Sequence, residues 1–447
     1  MSILTIQKIW KPYFWIILHY NKMEHSDMLD ITIEKIKEKL LLGEFGLELE
    51  SLRTDKDGYL AHTPHPFPGD SHIVRDFCEN QIEINTGVEY SPQGAVEALG
   101  KYYRRIQDTL NHLPQPELLW AFSNPPYIKN EGDIPVAEFT GSESVKTSYR
   151  NYLSDRYGRY KMAFSGIHLN YSFSEELLNA AFAQSREKDY KEFKNKLYLE
   201  LAQKLAAYGW IMVAATAASP LLDRSYVEKG KCGEDVFLGL ASVRCSELGY
   251  WNFFTPIFDY ASLASYADSI RRYIDKGMIQ APSELYYPIR LKPKGVNDLD
   301  SLVENGVNHV ELRMIDCNPL AEYGLDVRDV AFAQLLICWL AATPELELNE
   351  KQQIQAVQNY KNAAHYDLKT VKIVMPDGET YSGADAALAV IQEMERFYRE
   401  YPKKVQEVLR FQEKKFIDAG ERYAWQIRER FRDGYVKNGV KLAESRL

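Results

Sequence analysis

Two acidic residues in the segment FGLELESLR stand two positions apart, and this spacing fixes the direction in which they point. In a β-strand, successive side chains alternate between the two faces of the sheet. Leu47 and Leu49 therefore share one face, and Glu48 and Glu50 share the other. The sequence thus predicts a pair of carboxylates on one sheet surface, where they repel each other unless a cation compensates their charge.

Three further segments repeat this arrangement with other polar side chains. Each alternates aliphatic and polar residues, so its polar side chains share a face. The segments are Gln81–Asn85 with Glu83, residues 166–170 with His168 and Asn170, and residues 310–314 with Glu311 and Arg313, while Asp76 precedes the first of them. The ordinary interpretation of one such strand is a sheet with one face in water. Taken together, however, these faces carry Glu, His, Asn and Arg almost exclusively.

Carboxylates on a partly enclosed sheet face indicate a metal site. Oxygen ligands with at most one imidazole and no thiolate favour Mg²⁺, or Mn²⁺, over zinc. Arginines on the same surface indicate an anionic ligand, because guanidinium pairs bidentately with phosphate and carboxylate. Metal, arginine and phosphate together are typical of phosphoryl transfer. The chain has no GxxxxGK[ST] and no GxGxxG motif, so nucleotide binding would depend on metals and arginines.

An antiparallel sheet covered by helices is needed to bring these residues together. Alternation and β-branched or aromatic residues predict strands at residues 45–54, 81–86, 166–173, 287–291 and 307–315. Helical spacing predicts helices at residues 93–113, 190–208 and 326–341, and the last is apolar nearly all round, which indicates burial. From about residue 326 onward the pattern is almost purely helical, and residues 384–447 are predicted to be solvated helices that cover the core.

Composition limits the class of protein. The 447 residues are 45% hydrophobic with a formal net charge of -9, which argues against non-specific nucleic-acid binding. Five cysteines without CxxC spacing indicate neither disulfides nor a zinc site, and favour the cytoplasm. Residues 1–22 hold an apolar patch too short to span a bilayer. They are predicted to be a loosely attached extension, with a membrane anchor as the alternative. Residues 23–325 are predicted to form a catalytic core, on which residues 326–447 pack as part of one unit.

Several blocks of the sequence resemble the glutamate-cysteine ligase family, which includes the stand-alone bacterial enzyme and the first module of the bifunctional glutathione-synthesising protein. They extend from about residue 45 to residue 319 in the order and with the spacing of that family. The blocks are FGLELESLR with DGYLAHTPHP, DFCENQIEI, SNPPYI, YRNYLSDRYG with SGIHLNYSF, VRCSELGY, LYYPIRLKPK and VELRMIDCNP. One block alone would be a weak signal, but the whole set is specific.

The resemblance implies a fold and a set of site residues. The fold would be α/β of the α+β type, similar to the glutamine-synthetase superfamily, with a curved antiparallel sheet forming a funnel, packed helices and a helical C-terminal region. The implied metal ligands are Glu48, Glu50, Asp76, Glu83, His168 and Glu311. Arg150, Arg244 and Arg313 would hold the glutamate carboxylate and the transferring phosphoryl group. Arg290 and Asn170 would lie toward ATP, and Tyr149, Tyr250 and Tyr286 would line the acceptor pocket.

The implied reaction is the first step of glutathione biosynthesis. The γ-carboxylate of glutamate attacks the γ-phosphate of ATP, and the amine of cysteine then displaces phosphate from the acyl phosphate. The substrates are small molecules, and neither a nucleic acid nor a membrane is expected as a partner. The alternative is a γ-glutamyl ligase that uses another amino acid or amine. A family member that binds ligands without turnover is disfavoured, because all six implied metal ligands are present.

Overall fold

The computed structural model describes residues 28–446. The extension predicted for residues 1–22 lies outside the described residues. Within residues 28–446, no helix combines the length and the apolar character that crossing a bilayer requires.

A seven-stranded antiparallel sheet lies at the centre of the molecule. Its strands follow the order β2-β3-β1-β5-β9-β8, and β4 pairs with the far end of β1. Two small hairpins, β6-β7 and β10-β11, lie outside it. In chain order the strands are β1 (Gly43–Thr54), β2 (Ile73–Arg75), β3 (Gln81–Asn85), β4 (Leu118–Leu119), β5 (Ile167–Phe173), β6 (Leu221–Asp223), β7 (Asp235–Phe237), β8 (Ile289–Pro293), β9 (Val307–Ile315), β10 (Lys372–Val374) and β11 (Thr380–Ser382).

Helices surround the sheet and form the C-terminal region. In chain order they are α1 (Glu34–Lys37), α2 (Pro92–Asn111), α3 (Ser144–Tyr157), α4 (Glu175–Phe182), α5 (Tyr190–Tyr208), α6 (Trp210–Thr216), α7 (Arg224–Val227), α8 (Leu263–Asp275), α9 (Leu299–Asn305), α10 (Val327–Ala342), α11 (Glu350–Ala363), α12 (Gly383–Phe397), α13 (Lys403–Ile417), α14 (Tyr423–Phe431) and α15 (Tyr435–Glu444). Short 3₁₀ turns lie at Glu131–Asp133, Gly141–Glu143, Lys161–Ala163, Pro282–Glu284 and Ala419–Glu421.

The aliphatic face of the sheet forms the core with the helices behind it. Leu47, Leu49, Leu169 and Leu312 are all fully buried in one hydrophobic cluster. Helix α2 packs against β1 and β3, and α5 packs against β8 and β9. Since strand side chains alternate, burial of this face turns the polar residues of the same strands to the opposite face.

Most of the predicted elements are confirmed. The strand at residues 307–315 and the helix at 190–208 coincide with β9 and α5, and α10 buries 13 of its 16 residues as its composition indicates. Side-chain caps explain several boundaries. Ser91 accepts a hydrogen bond from Gly94 N–H before α2, and Asp326 accepts one from Arg328 N–H before α10.

One element prediction was wrong in part. The strand predicted at residues 287–291 is shifted, because β8 starts after Pro288, which has no N–H to offer to a ladder. The region beyond residue 326 is almost purely helical as predicted, and one short hairpin of β10 and β11 interrupts it. The tripeptide Pro376-Asp377-Gly378 between these strands is an ordinary turn signal, and Gly378 has φ +89°.

Candidate active site

Sheet register brings the polar residues of neighbouring strands side by side. They form a row across β3, β1, β5, β9 and β8, because the directly opposed pairs are Glu83 with Glu50, Glu48 with His168, Asn170 with Glu311, and Glu311 with Arg290. Alternation within one strand predicted every member of the row except Arg290, which the family resemblance implied, but only the register makes them neighbours.

This row lies in a cavity of about 390 Å³. The cavity is lined by every site residue that the sequence and the resemblance named, except Asn170. They are Glu48, Glu50, Asp76, Glu83, Tyr149, Arg150, His168, Arg244, Tyr250, Tyr286, Arg290, Glu311 and Arg313. Asn170 lies beside the cavity instead, where its amide donates to Glu48 at 2.9 Å.

His168 stands at the centre of the carboxylates. Its Nδ1 lies 2.8 Å from Glu48 Oε2 and 3.5 Å from Glu311 Oε1, and its Nε2 lies 3.7 Å from Glu50 Oε1. Burial and the positive charge of Arg313 lower the pKa of His168, so the imidazole is neutral at physiological pH. A neutral imidazole between carboxylates can serve as a nitrogen ligand for a metal.

Glu311 is fully buried but surrounded by cations. Its Oε1 accepts a hydrogen bond from Arg313 at 2.7 Å, and its Oε2 lies 3.5 Å from Lys292 Nζ and 3.7 Å from Arg290 Nη1. Burial opposes the charged form, yet these three cations hold the pKa of Glu311 well below its usual range. Its Oε2 nevertheless has no hydrogen-bond partner. One oxygen of an ionised carboxylate is therefore available to a ligand.

Glu50 and Glu83 have the opposite electrostatic environment. Burial and the charge of Asp76 raise the pKa of Glu50 well above its usual range, and raise the pKa of Glu83 to about 8. Like charges directly opposed on neighbouring strands are destabilising. Glu48 differs, because burial raises its pKa but the hydrogen bonds from His168 and Asn170, together with the charge interaction with His168, lower it overall. The pair formed by Glu50 and Glu83 therefore lacks the cation that its full ionisation requires.

Arg244 reaches the row from the loop that follows β7. It is 6% exposed, its Nη2 lies 3.4 Å from His168 Nε2, and its Nε has no hydrogen-bond partner. Gly166 allows this approach, since a Cβ there would lie 2.2 Å from Arg244 Cζ. The same glycine donates its N–H to Glu50 Oε2 at 2.9 Å. Gly166 is thus required for the packing of Arg244 against the carboxylates.

Helix α3 and the 3₁₀ turn at Pro282–Glu284 form a further wall of the cavity. Arg150 on α3 donates to the carbonyl of Asp76 at 2.5 Å, which ties this helix to the metal-ligand candidates. Tyr149 accepts a hydrogen bond from Ser283, and burial raises the pKa of Tyr149 to about 12. The rings of Tyr250 and Tyr286 lie 5.5 Å apart in the same wall. Aromatic side chains thus form part of the cavity wall.

Sequence reasoning missed several residues that line the cavity. Among them, Lys292 has an evident role, because its charge compensates that of Glu311. The sequence pattern could have identified this lysine. Arg290 and Lys292 alternate with Leu291 on β8, so the same period-two argument places both on the polar face. Trp251, Met162 and Tyr360 also line the cavity, but they lie in loops and helices where no periodicity marks them.

The donor set fits a hard divalent cation. Donor atoms of Glu48, His168 and Glu311 lie within 4.8 Å of one another, and this is the one such group among residues 28–446. Glu50, Asp76 and Glu83 line the same cavity but do not form such a group. Carboxylate oxygens with one imidazole and no thiolate suit Mg²⁺ or Mn²⁺. The uncompensated charge of Glu50 and Glu83 and the free oxygen of Glu311 both favour a bound cation.

Comparison with solved structures supports the fold. The chain is similar to a bifunctional glutathione synthetase from Pasteurella multocida, with a TM-score of 0.81 and 23% identity, over 94% of this chain and 54% of that chain. It is also similar to glutamate-cysteine ligase from Francisella tularensis, solved with AMP, with a TM-score of 0.79 and 24% identity, over 91% of this chain and 88% of that chain. Both share its mixed architecture of helices and an antiparallel sheet.

Sequence comparison identifies the family. The model of the family "Glutamate-cysteine ligase" matches residues 29–277 and 253–363. The glutathione biosynthesis bifunctional protein GshAB of Listeria monocytogenes serotype 4b is 32% identical over 437 residues, which cover 94% of this chain and 56% of that protein. Glutamate-cysteine ligase of Clostridium acetobutylicum is 31% identical over 389 residues, covering 76% of this chain and 80% of that protein. The chain thus spans about half the length of its bifunctional relatives, and it belongs to the glutamate-cysteine ligase family.

Proposed function

We propose that this protein joins the γ-carboxylate of glutamate to the amine of cysteine, with ATP and Mg²⁺, through a γ-glutamyl phosphate. The observation that carries the proposal is the row of carboxylates and cations across five neighbouring strands inside one cavity. Membership of the family supports the same reaction, because the relative from Clostridium acetobutylicum is named for it. The architecture further favours a funnel of the glutamine-synthetase type, with the polar sheet face as its inner surface.

Two groups of residues would hold Mg²⁺. Glu48, His168 and Glu311 form the compact group, and the remaining three carboxylates that line the cavity are Glu50, Asp76 and Glu83. Bound Mg²⁺ would neutralise the polyphosphate of ATP. The protein itself fixes the donors in place, since strand register sets the spacing of Glu50, Glu83, Glu48 and His168.

Arginines supply the charge that orients the anionic substrates. Arg313 and Arg244 lie among the carboxylates of the row, and Arg150 reaches it from α3. Guanidinium groups held by carboxylates and carbonyls keep their orientation without further loss of entropy, which favours bidentate binding of a carboxylate or phosphoryl group. We assign the glutamate carboxylate and the transferring phosphoryl group to these three arginines. Arg290 contacts Glu311 from the edge strand β8. In this assignment, Arg290 and Asn170 lie toward the nucleotide.

The reaction then proceeds in two displacements. A γ-carboxylate oxygen of glutamate forms a bond to the γ-phosphorus of ATP, and ADP leaves. The amine of the acceptor next attacks the acyl carbon, phosphate leaves, and the amine loses a proton. The wall of Tyr149, Tyr250 and Tyr286 would contact the acceptor and limit the access of water to the acyl phosphate, which otherwise hydrolyses. No cysteine of the chain is required by this scheme.

The helical region belongs to the same catalytic unit in this proposal. Tyr360 on α11 and Val213 on α6 both line the cavity, and α11 packs against α6. Residues 23–325 would thus supply the catalytic groups, and residues 326–447 would support them from behind. All five cysteines are free, which agrees with a reducing compartment such as the cytoplasm.

An acceptor panel tests the proposal. The purified protein is incubated with ATP, Mg²⁺ and glutamate, and with L-cysteine, L-serine, 2-aminobutyrate or glycine, while released phosphate is measured and the product is identified by mass. We expect γ-glutamylcysteine, with activity that chelation of the metal abolishes. If phosphate release occurs only with another amine, the proposed mechanism stands but the acceptor is not L-cysteine. Absence of glutamate-dependent phosphate release with every amine would contradict the proposed function itself.

A further inference from the structure

A second cavity lies in the helical region and shares no lining residue with the cavity of the sheet. Its volume is about 250 Å³, and it is bordered by the segment after α11, the end of α13 and the start of α14. Pockets for drug-sized ligands span roughly 300 to 1,000 Å³. A cavity of this size therefore suits a compact metabolite.

Arg422 borders this cavity as a buried cation without a counterion. Its side chain is 3% exposed, and no carboxylate of the described residues lies within 4.0 Å of its guanidinium. Two of its nitrogens donate to the carbonyls of Tyr366 and His365, at 2.5 and 3.4 Å, but its Nε has no partner. Burial lowers the pKa of Arg422 only to about 10, so it stays charged at neutral pH. An unpaired buried guanidinium is costly unless an anion binds it.

The other charges around the cavity compensate this cost only in part. Lys415 is already paired with Asp329 at 3.1 Å. The negative charge of Asp367 attracts Arg422, but Asp367 is exposed, forms no ion pair with the guanidinium, and uses its Oδ1 to accept the backbone N–H of Lys369 in a turn. Lys369 is itself exposed at the cavity rim and adds a further positive charge. The cavity thus has one buried positive charge to neutralise, which matches a monoanion better than a dianion.

The rest of the lining is apolar or aromatic. Leu368 and Phe416 are buried at the cavity wall, and half-buried Trp425 borders it as well. The Trp425 ring is fixed by stacking on Tyr366, with centroids 4.5 Å apart and an interplanar angle of 14°. A rigid indole beside a guanidinium is suited to a ligand that joins a flat apolar part to an anionic group.

We propose that this cavity binds a small carboxylic acid with a planar apolar group, its carboxylate on Arg422 and its ring against the apolar lining. The carboxylate would supply the acceptor that the Nε–H of Arg422 lacks. Uncharged analogues lose this interaction, and phosphate lacks the apolar part.

Benzoate serves as the probe, with benzamide as its neutral analogue and inorganic phosphate as the small dianion. The seven indole N–H signals of the full chain are followed by ¹H–¹⁵N NMR, and the Trp425 signal is identified with Trp425→Phe. We expect saturable movement of the Trp425 signal with benzoate alone. Equal movement with benzamide, tighter binding of phosphate, or no movement with benzoate would overturn the proposal.

Variants of two cavity residues test whether the movement of the Trp425 signal reports benzoate binding in this cavity. Lys369→Ala changes an exposed side chain and should weaken benzoate binding about two- to fivefold. Arg422→Lys keeps the charge but loses the planar fork, and should weaken it about tenfold. Lys372→Ala, an exposed lysine on β10 outside the cavity, is the matched control and should bind as the unaltered protein does. If Lys369→Ala and Arg422→Lys both bind benzoate as tightly as this control, the assignment is wrong.

Discussion

Glu50 and Glu83 face each other on neighbouring strands, and the fold buries both carboxylates. Glu311 on β9, two strands beyond β1 in the sheet, has three cations around it. Among the described residues, the pair of Glu50 and Glu83 has no cation as close. The difference explains why burial raises the pKa of Glu50 and Glu83 while Glu311 stays ionised. At the residue scale, the site therefore contains one carboxylate whose charge is compensated by cations and two carboxyl groups that keep a proton because no cation is as close to them. A bound metal would contribute most beside those two groups.

Metal binding should strengthen as pH rises, because the proton held by Glu83 is then lost more easily. The folded protein raises the pKa of Glu83 from 4.5 to about 8. Between these values the folded form holds a proton that the unfolded chain has lost, so the stability of the metal-free protein falls as pH rises through this window. Mg²⁺ competes with that proton. We expect Mg²⁺ to raise Tm more at about pH 8 than at about pH 6, as measured by differential scanning calorimetry.

Glu83→Gln provides the comparison for this measurement. The variant has no proton to lose at this position, so its metal-free Tm should fall less between about pH 5 and about pH 8. Equal stabilisation by Mg²⁺ at both pH values in the unaltered protein would contradict the assignment of Glu83 to the metal site.

Glu48→Gln should abolish ligation while the protein stays folded. The change removes a charge from the proposed metal site but almost no volume, so we expect Mg²⁺-dependent stabilisation to be lost and the core to be unaffected. Activity should fall at least about a hundredfold. Glu44→Gln is the matched control, because Glu44 lies on the same face of β1 but outside the cavity. Ordinary ligation by Glu48→Gln would refute the metal assignment.

At the element scale, buried Glu284 attaches α3 to the rest of the cavity wall. It accepts hydrogen bonds from Tyr157 at 2.8 Å and Tyr152 at 3.2 Å, and Arg156 Nε lies 3.0 Å from its carboxylate. It also accepts the backbone N–H of Gln280. One carboxylate thus joins a helix that carries Tyr149 and Arg150 to the loop that carries Tyr286.

Glu284→Gln should loosen α3 without unfolding the sheet. The amide offers one acceptor oxygen instead of two and leaves Arg156 without a buried counterion, at a local cost of about 1 to 3 kcal/mol. We expect faster hydrogen exchange in residues 144–157 and a lower kcat/KM, while α5 exchanges as before. Glu143→Gln, an exposed residue just before α3, is the control. Unchanged exchange in α3 would show that Glu284 does not hold this wall.

At the scale of the whole molecule, one buried ion pair fastens the C-terminal helices to the core. Asp329 on α10 accepts from Lys415 at 3.1 Å, from Gln412 at 2.9 Å and from Tyr423 at 2.9 Å. Lys415 also donates to the carbonyl of Ala215 on α6. This network links α6, α10, α13 and α14, so the helical region and the sheet are expected to unfold together.

Asp329→Asn should therefore destabilise the entire protein. It leaves Lys415 charged and buried without a carboxylate partner, which costs about 3 to 5 kcal/mol. Urea unfolding should still show one transition, at a lower midpoint. Adding Lys415→Met should restore part of the loss, whereas Lys414→Met, at an exposed neighbouring position, should change nothing. A separate early transition for the helical region would contradict the single unit.

Local pattern alone determined much of the candidate site. Alternation in four strands predicted Glu48, Glu50, Glu83, His168 and Glu311 on one surface, because the two faces of a strand depend only on odd and even positions. Periodicity also determined the long helices, including the buried α10. The arginines of the loops and helices, and the tyrosines, came from family resemblance, since no local period marks a side chain outside a regular element.

Only the tertiary structure decided which of these residues touch. Register set Glu50 opposite Glu83, and a shift of one residue would have turned one of them to the other face. It also placed Asn170 beside the cavity and brought Lys292 to Glu311. The counterion-free environment of Arg422 is equally a product of packing between segments distant in sequence. The compensation of one charge by another depends on the distance between such segments. That distance cannot be read from the order of residues in the sequence.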